Sequence, residues 1–83
     1  MGLHDIQVQV QQLLDDATTV LNSPSQAGLD ALAEAAAAIS ERRGEEFNAA
    51  AQQYRSGSSA DAVTALRSAM QLAEEWANNL SRM

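Results

Sequence analysis

Cysteine is absent from the 83 residues, which excludes disulfides, thiolate metal centres and cysteine nucleophiles and leaves folding independent of an oxidising compartment. Lysine is absent too, so five arginines face eleven carboxylates and the formal net charge is -6. That balance repels phosphate, and no basic stripe exists to release counterions, so neither nucleic acid nor an anionic membrane is expected as a partner. No apolar run approaches the roughly 18 residues that cross a bilayer, and Met1-Gly2-Leu3-His4-Asp5 lacks a basic segment followed by an apolar one. The expectation is a soluble, cytoplasmic protein. Glycines 2, 28, 44 and 57 form neither a phosphate-binding loop nor a dinucleotide fingerprint.

What the chain has in quantity is alanine, which supplies much of its 46 % apolar content. Helices rich in alanine approach closely but bury little area each. A single domain of this length buries only about 60 to 65 per cent of its unfolded surface, so its stability margin is thin and oligomerisation would widen it.

Helical periodicity runs through the whole chain. Ile6, Val10, Leu13, Ala17 and Val20 alternate spacings of four and three, with Leu14 and Leu21 widening the stripe and Gln9, Gln12, Asp16 and Thr19 opposite. They predict a first helix over about 5–22. Ser23 is placed to cap a second helix, with Pro24 at its first position and Gln26 completing a capping box. Leu29, Leu32, Ala35, Ala36 and Ile39 then point inward.

The end of that second helix is ambiguous in the sequence. Arg42-Arg43-Gly44 reads as a C-terminus, with cations at the negative end of the dipole and glycine beyond. Yet Phe47, Ala50, Ala51 and Tyr54 nearly continue the stripe, and Arg42 can pair with Glu46 one turn on. Either helices over 24–43 and 45–56 meet in a tight turn at Gly44, or one long helix runs through. Ser56-Gly57-Ser58-Ser59 is a clear break, with Ser58 and Asp61 set as a capping box. The last helix covers about 59–82. The expected fold is therefore an all-α single domain, a small antiparallel bundle of three or four helices.

The last helix carries two apolar stripes. One holds Val63, Leu66, Met70, Ala73, Ala77 and Leu80, and an offset one holds Ala65, Ala69, Leu72, Trp76 and Met83. A four-helix core of this length seldom needs both, and tryptophan and methionine are enriched at interface centres. Polar residues Asp61, Thr64, Ser68, Gln71, Glu75, Asn78 and Arg82 form a single narrow strip between them.

Shifting the chain by 34 residues lays Ser25 on Ser59, Leu29 on Val63, Ala31 on Ala65, Leu32 on Leu66 and Ala35 on Ala69. Ala17 falls on Ala51 and Val20 on Tyr54. Within Phe47 to Leu72, Ala50 and Ala51 are the small residues of a helix contact, Tyr54 is an aromatic near the turn, Gly57 is the turn, and Ala62, Leu66 and Ala69 repeat small, large, small. On these residues 44–76, and less closely 10–42, resemble tetratricopeptide-like helical hairpins. The resemblance implies a hairpin that binds other proteins. The family's Leu-Gly pair is replaced here by alanines, its closing proline is missing, and Gly28 stands where the first unit should carry alanine. Because binding residues of such repeats lie on a variable face, none is carried over.

Chemistry-bearing constellations are sparse. His4 is the only histidine and lies near the N-terminus, so a Ser-His-Asp arrangement would require that segment to dock. Asp15-Asp16, Glu41 with Glu45-Glu46, and Glu74-Glu75 read as solvated helix surface, with none of the Glu-x-x-His pairs that build di-iron sites. No catalytic, cofactor-binding or metal-binding residue is expected, and neither a cofactor nor a small-molecule ligand. The leading expectation is a non-enzymatic protein-interaction module that self-associates, as a homodimer, or docks a partner helix. Leu72, Trp76, Leu80 and Met83 would make the contact, with Arg67, Glu74 and Arg82 at the polar rim. A small secreted ESAT-6-like hairpin is an alternative, although its Trp-x-Gly turn is replaced by Tyr54-Arg55-Ser56-Gly57. An acidic inhibitor that mimics nucleic acid is another, although the carboxylates are scattered.

Overall fold

The computed structural model describes residues 2–82, so Met1 and Met83 lie outside the described residues. Four helices follow one another: α1 (Leu3–Asn22), α2 (Gln26–Ile39), α3 (Glu41–Arg55) and α4 (Ser59–Ser81). Each packs antiparallel on its neighbour in sequence and α4 closes on α1, which leaves α1 and α3, and likewise α2 and α4, on the diagonals of an up-down-up-down bundle.

The joints explain the order. Between α1 and α2, Ser25 is the N-cap: its hydroxyl accepts from the Gly28 N–H at 3.0 Å. The cap is thus two residues later than Ser23. That shift puts Gln26 at the first helical position instead of the third, where its amide cannot close a capping box. It donates to Asp30 Oδ1 at 3.0 Å and across to the Ala51 carbonyl in α3 at 3.2 Å.

Between α2 and α3 the chain does not break at Gly44, nor does it run through as one helix. The break is Ser40 alone, whose extended backbone (φ -159, ψ 132) caps both helices. Its N–H still bonds Ala36 O at 2.9 Å and its carbonyl already accepts from the Gly44 N–H at 2.9 Å. One residue suffices because the two helices touch immediately after it. A Cβ on Gly44 would fall 2.6 Å from the Cβ of Ala37. Gly44 is therefore buried inside the first turn of α3, as a close-approach residue and not a helix terminator.

The α3–α4 joint follows the sequence. Gly57 has φ +87, and the Gly57 and Ser58 N–H groups bond back to the Tyr54 and Gln53 carbonyls at 3.0 Å each, the Schellman arrangement that only a residue tolerant of left-handed backbone completes without strain. Ser58 does occupy the N-cap position of α4, but its side chain makes no capping bond. At the N-terminus α1 begins at Leu3, ahead of Asp5, whose carboxylate accepts from the Gly2 N–H at 3.3 Å.

The core consists of Val10, Leu13 and Ala17 from α1, Leu29, Leu32 and Ala36 from α2, Phe47, Ala50 and Ala51 from α3, and Ala62, Leu66, Ala69 and Ala73 from α4. Alanines are just over half of it. Ala35, expected inside, is exposed: the inward line of α2 runs through Leu29, Leu32 and Ala36. No helix among the described residues is long and apolar enough to cross a membrane.

Candidate interaction surface

The two apolar stripes of α4 have separate destinations. The midline of the helix, Ala62, Leu66, Ala69 and Ala73, faces the core. Met70 and Ala77 fall on the flank toward α1, where they line a groove of about 430 Å³ together with Leu14 and Gln11. Ala65 and Trp76 fall on the flank toward α3 and are half-buried. Each flank has a neighbouring helix, so a bundle of this length uses more of both stripes than the pattern alone implied. On α4 the large apolar side chain left exposed among the described residues is Leu72, at 42 %.

At about 100° per residue, Trp76 lies roughly 40° and Leu80 roughly 80° around the helix from Leu72. The three residues make a short diagonal band, exposed at Leu72 and half-buried at Trp76 and Leu80. Arg67 is not at its rim. It lies roughly 140° around the axis from Leu72, on the flank toward α1. Arg82, the exposed C-cap of α4, lies roughly 120° from Trp76. Glu74, beside the α1–α4 groove, is likewise on the other flank. Met83 falls outside the described residues. Of the expected contact set, then, Leu72, Trp76 and Leu80 come together, Arg82 lies roughly 80° from Leu72 on the side away from Trp76, and Arg67 and Glu74 are on the other flank.

Polar residues border the band from both helices, Ser68, Gln71 and Glu75 beside Leu72 on α4 and Arg43 with Glu46 on α3. Arg43, only 8 % exposed, is the buried charged side chain of the described residues. Its guanidinium stands 5.3 Å from the centroid of the Trp76 ring, within range of a cation–π contact. It donates from Nη2 to Glu46 Oε2 at 2.9 Å and from Nη1 to the Leu72 carbonyl at 3.5 Å. Nε approaches Glu46 Oε1 at 2.8 Å, but off the line of a hydrogen bond, so this second contact is Coulombic only. The partner of Glu46 is thus Arg43, three residues before it, while Arg42 points to solvent.

Sequence reasoning treated Arg43 as one of two cations at a helix end. The signal that it lies inside is its position four residues after Ile39 and four before Phe47, on a stripe that both apolar neighbours define. The signal for Ser40 is that a good N-cap residue precedes an acidic first turn at Glu41.

A second ion pair ties α2 to α3. Arg55 Nη2 lies 3.0 and 3.1 Å from the two carboxylate oxygens of Asp30, with both side chains about half exposed. Tyr54, half-buried, donates its hydroxyl to the Pro24 carbonyl at 3.4 Å, and Phe47 is in the core.

His4 is exposed in the first turn of α1. Among the described residues no three His, Cys, Asp or Glu side chains converge on a point that could hold a metal ion. Comparison with protein-family models, with curated proteins and with solved structures finds no match to this chain.

Proposed function

We propose that the chain is a non-enzymatic helical interaction module that binds protein, a second copy of itself or a partner helix, along the Leu72, Trp76 and Leu80 band of α4. The observation that carries this reading is Leu72, 42 % exposed on the longest helix and directly beside a tryptophan held from behind by Arg43. An aromatic anchor that is rigid before binding loses little conformational entropy on contact, which is how buried tryptophans come to dominate interface energies. A core made largely of alanine adds the incentive, because extra apolar burial stabilises a domain of this length disproportionately.

The contact is apolar, with Glu46 and Glu75 near it setting register. The test is light-scattering mass on a size-exclusion column across a hundredfold range of concentration, with Leu72→Gln as the control. A mass that rises with concentration and reverts to monomer in L72Q supports self-association. A monomer throughout removes self-association and leaves the partner helix, to be sought with the same control. Assembly that L72Q leaves intact overturns the site.

A further inference from the structure

We infer that the occupant of the α4 band is a second copy of this chain, related to the first by a two-fold axis through the band. The inference rests on the docking band proposed above and names its partner. Two observations beyond the exposure of Leu72 carry it.

The first is how charge is divided over the surface. Glu75 and Arg82 both lie on the side of Leu72 away from Trp76, roughly 20° apart around the helix. On the opposite side Arg43 is paired with Glu46. Each border of the band thus carries one acid and one base and has no net charge, on a chain whose formal net charge is -6. The excess of carboxylates is elsewhere. Glu34, Glu41 and Glu45 line the groove between α2 and α3, with Arg42 beside the last two. Asp15 and Glu74 line the groove between α1 and α4, with no arginine among the described residues that line it. A partner selected by positive charge would be drawn to those grooves. The band is the face on which two copies of an acidic chain meet without opposing like charges.

The second is spacing. Leu72, Trp76 and Leu80 follow one another by four residues and form a ridge, with the row of Gln71, Glu75 and Asn79 beside it. Two such ridges interlock when each enters the groove next to the other, at a crossing angle of about -50°. Under a two-fold axis the same surface serves both copies, so the ridge is its own complement. A crossing of that kind touches only a short stretch of each helix, which matches a band exposed at Leu72 and half-buried at Trp76 and Leu80. The apolar area left open is small, so the assembly is reversible, with micromolar affinity or weaker.

The full charge of each copy still repels the other at long range, and salt screens that repulsion. Association is therefore expected to tighten several-fold between about 20 mM and about 300 mM NaCl, whereas binding of a basic partner would weaken over the same range.

Sedimentation equilibrium of the full chain, with cross-linking at single introduced cysteines, tests this. The chain has no cysteine of its own, so each introduced one reports alone. Glu75→Cys, at the border of the band, is expected to couple to its copy through a short bis-maleimide several-fold more than Asp16→Cys on the exposed face of α1. Coupling of that preference, with an association that tightens with salt, supports the inference. A monomer up to millimolar concentration, with E75C coupling no more than D16C, overturns the second copy and leaves a partner helix as the occupant. Assembly that L72Q disperses but salt weakens also overturns it, while the band itself stands. Coupling that favours D16C overturns both the inference and the band.

Discussion

Gly44 and Ala37 cross with no room for a second methyl: a Cβ on Gly44 would stand 2.6 Å from the Ala37 Cβ and 2.7 Å from the Ala37 Cα. Because the second of those atoms is backbone, a side-chain rotation relieves nothing, and α2 would have to move off α3. Alanine improves helix propensity over glycine by about 1 kcal/mol, yet Gly44→Ala should still destabilise by roughly 2 kcal/mol, since overpacking of this kind costs more than the propensity returns. Chemical denaturation followed by circular dichroism measures it. Ala37→Gly in the same chain should restore only part of the loss.

Gly57 makes the opposite case. No atom lies within 4 Å of a Cβ built there, but its φ is +87. Gly57→Ala should therefore cost about 1 kcal/mol through backbone strain alone, and Gly57→Asn clearly less, because asparagine tolerates the left-handed region. Equal losses for Ala and Asn would show that conformation is not what selects the glycine.

The two serine joints separate cap from position. Ser25→Ala removes the acceptor of the Gly28 N–H and should cost about 1 kcal/mol. Ser58→Ala, at an N-cap without a side-chain bond, should change the denaturation midpoint little. The reverse order of effects would contradict the capping geometry.

Arg43 and Arg55 predict different salt responses. Removing Arg43 leaves the Glu46 carboxylate, 20 % exposed, without its ion-pair partner, and Arg43→Met should cost on the order of 1 to 3 kcal/mol, largely independent of salt. The Asp30–Arg55 pair is exposed on both sides, so Arg55→Met should cost under about 1 kcal/mol, and less still in high salt. Trp76 is the only tryptophan, so R43M should also shift the native fluorescence while R55M does not.

Leu72 tests whether its exposure is functional or incidental. With 42 % of it open to water, Leu72→Gln should alter monomer stability by no more than about 0.5 kcal/mol while abolishing concentration-dependent assembly. A change in stability as large as that of a core substitution such as Leu66→Ala would place the side chain in the fold instead of on its surface.

Where sequence reasoning succeeded, the cause was local. Four and three spacing marked Val10, Leu13, Ala17, Leu29, Leu32, Ala36 and Leu66 as inward, and all of them are buried, because helical periodicity needs no knowledge of neighbours. The Ser56 to Ser59 joint was legible for the same reason: a glycine in left-handed backbone between two helical patterns is a property of the residue itself. The Gly44 region misled because two signals there were also local in form, cations before a glycine, while their cause is a contact between helices. Ala37 is invisible from Gly44 until the chain has folded back on itself.

The sequence alone determined that this chain is helical throughout, with apolar stripes at helical spacing in each segment, and that it has neither cysteine nor lysine. Tertiary structure alone decided three matters. It set the reversal at Ser40, because Ala37 and Gly44 are small enough for the helices to touch at once. Arg43 went inside, where the Trp76 face and Glu46 compensate its charge. The apolar surplus on α4 shrank to Leu72, since a helix flanked by two neighbours shares its stripes between them, and periodicity counts apolar residues without counting the surfaces available to cover them.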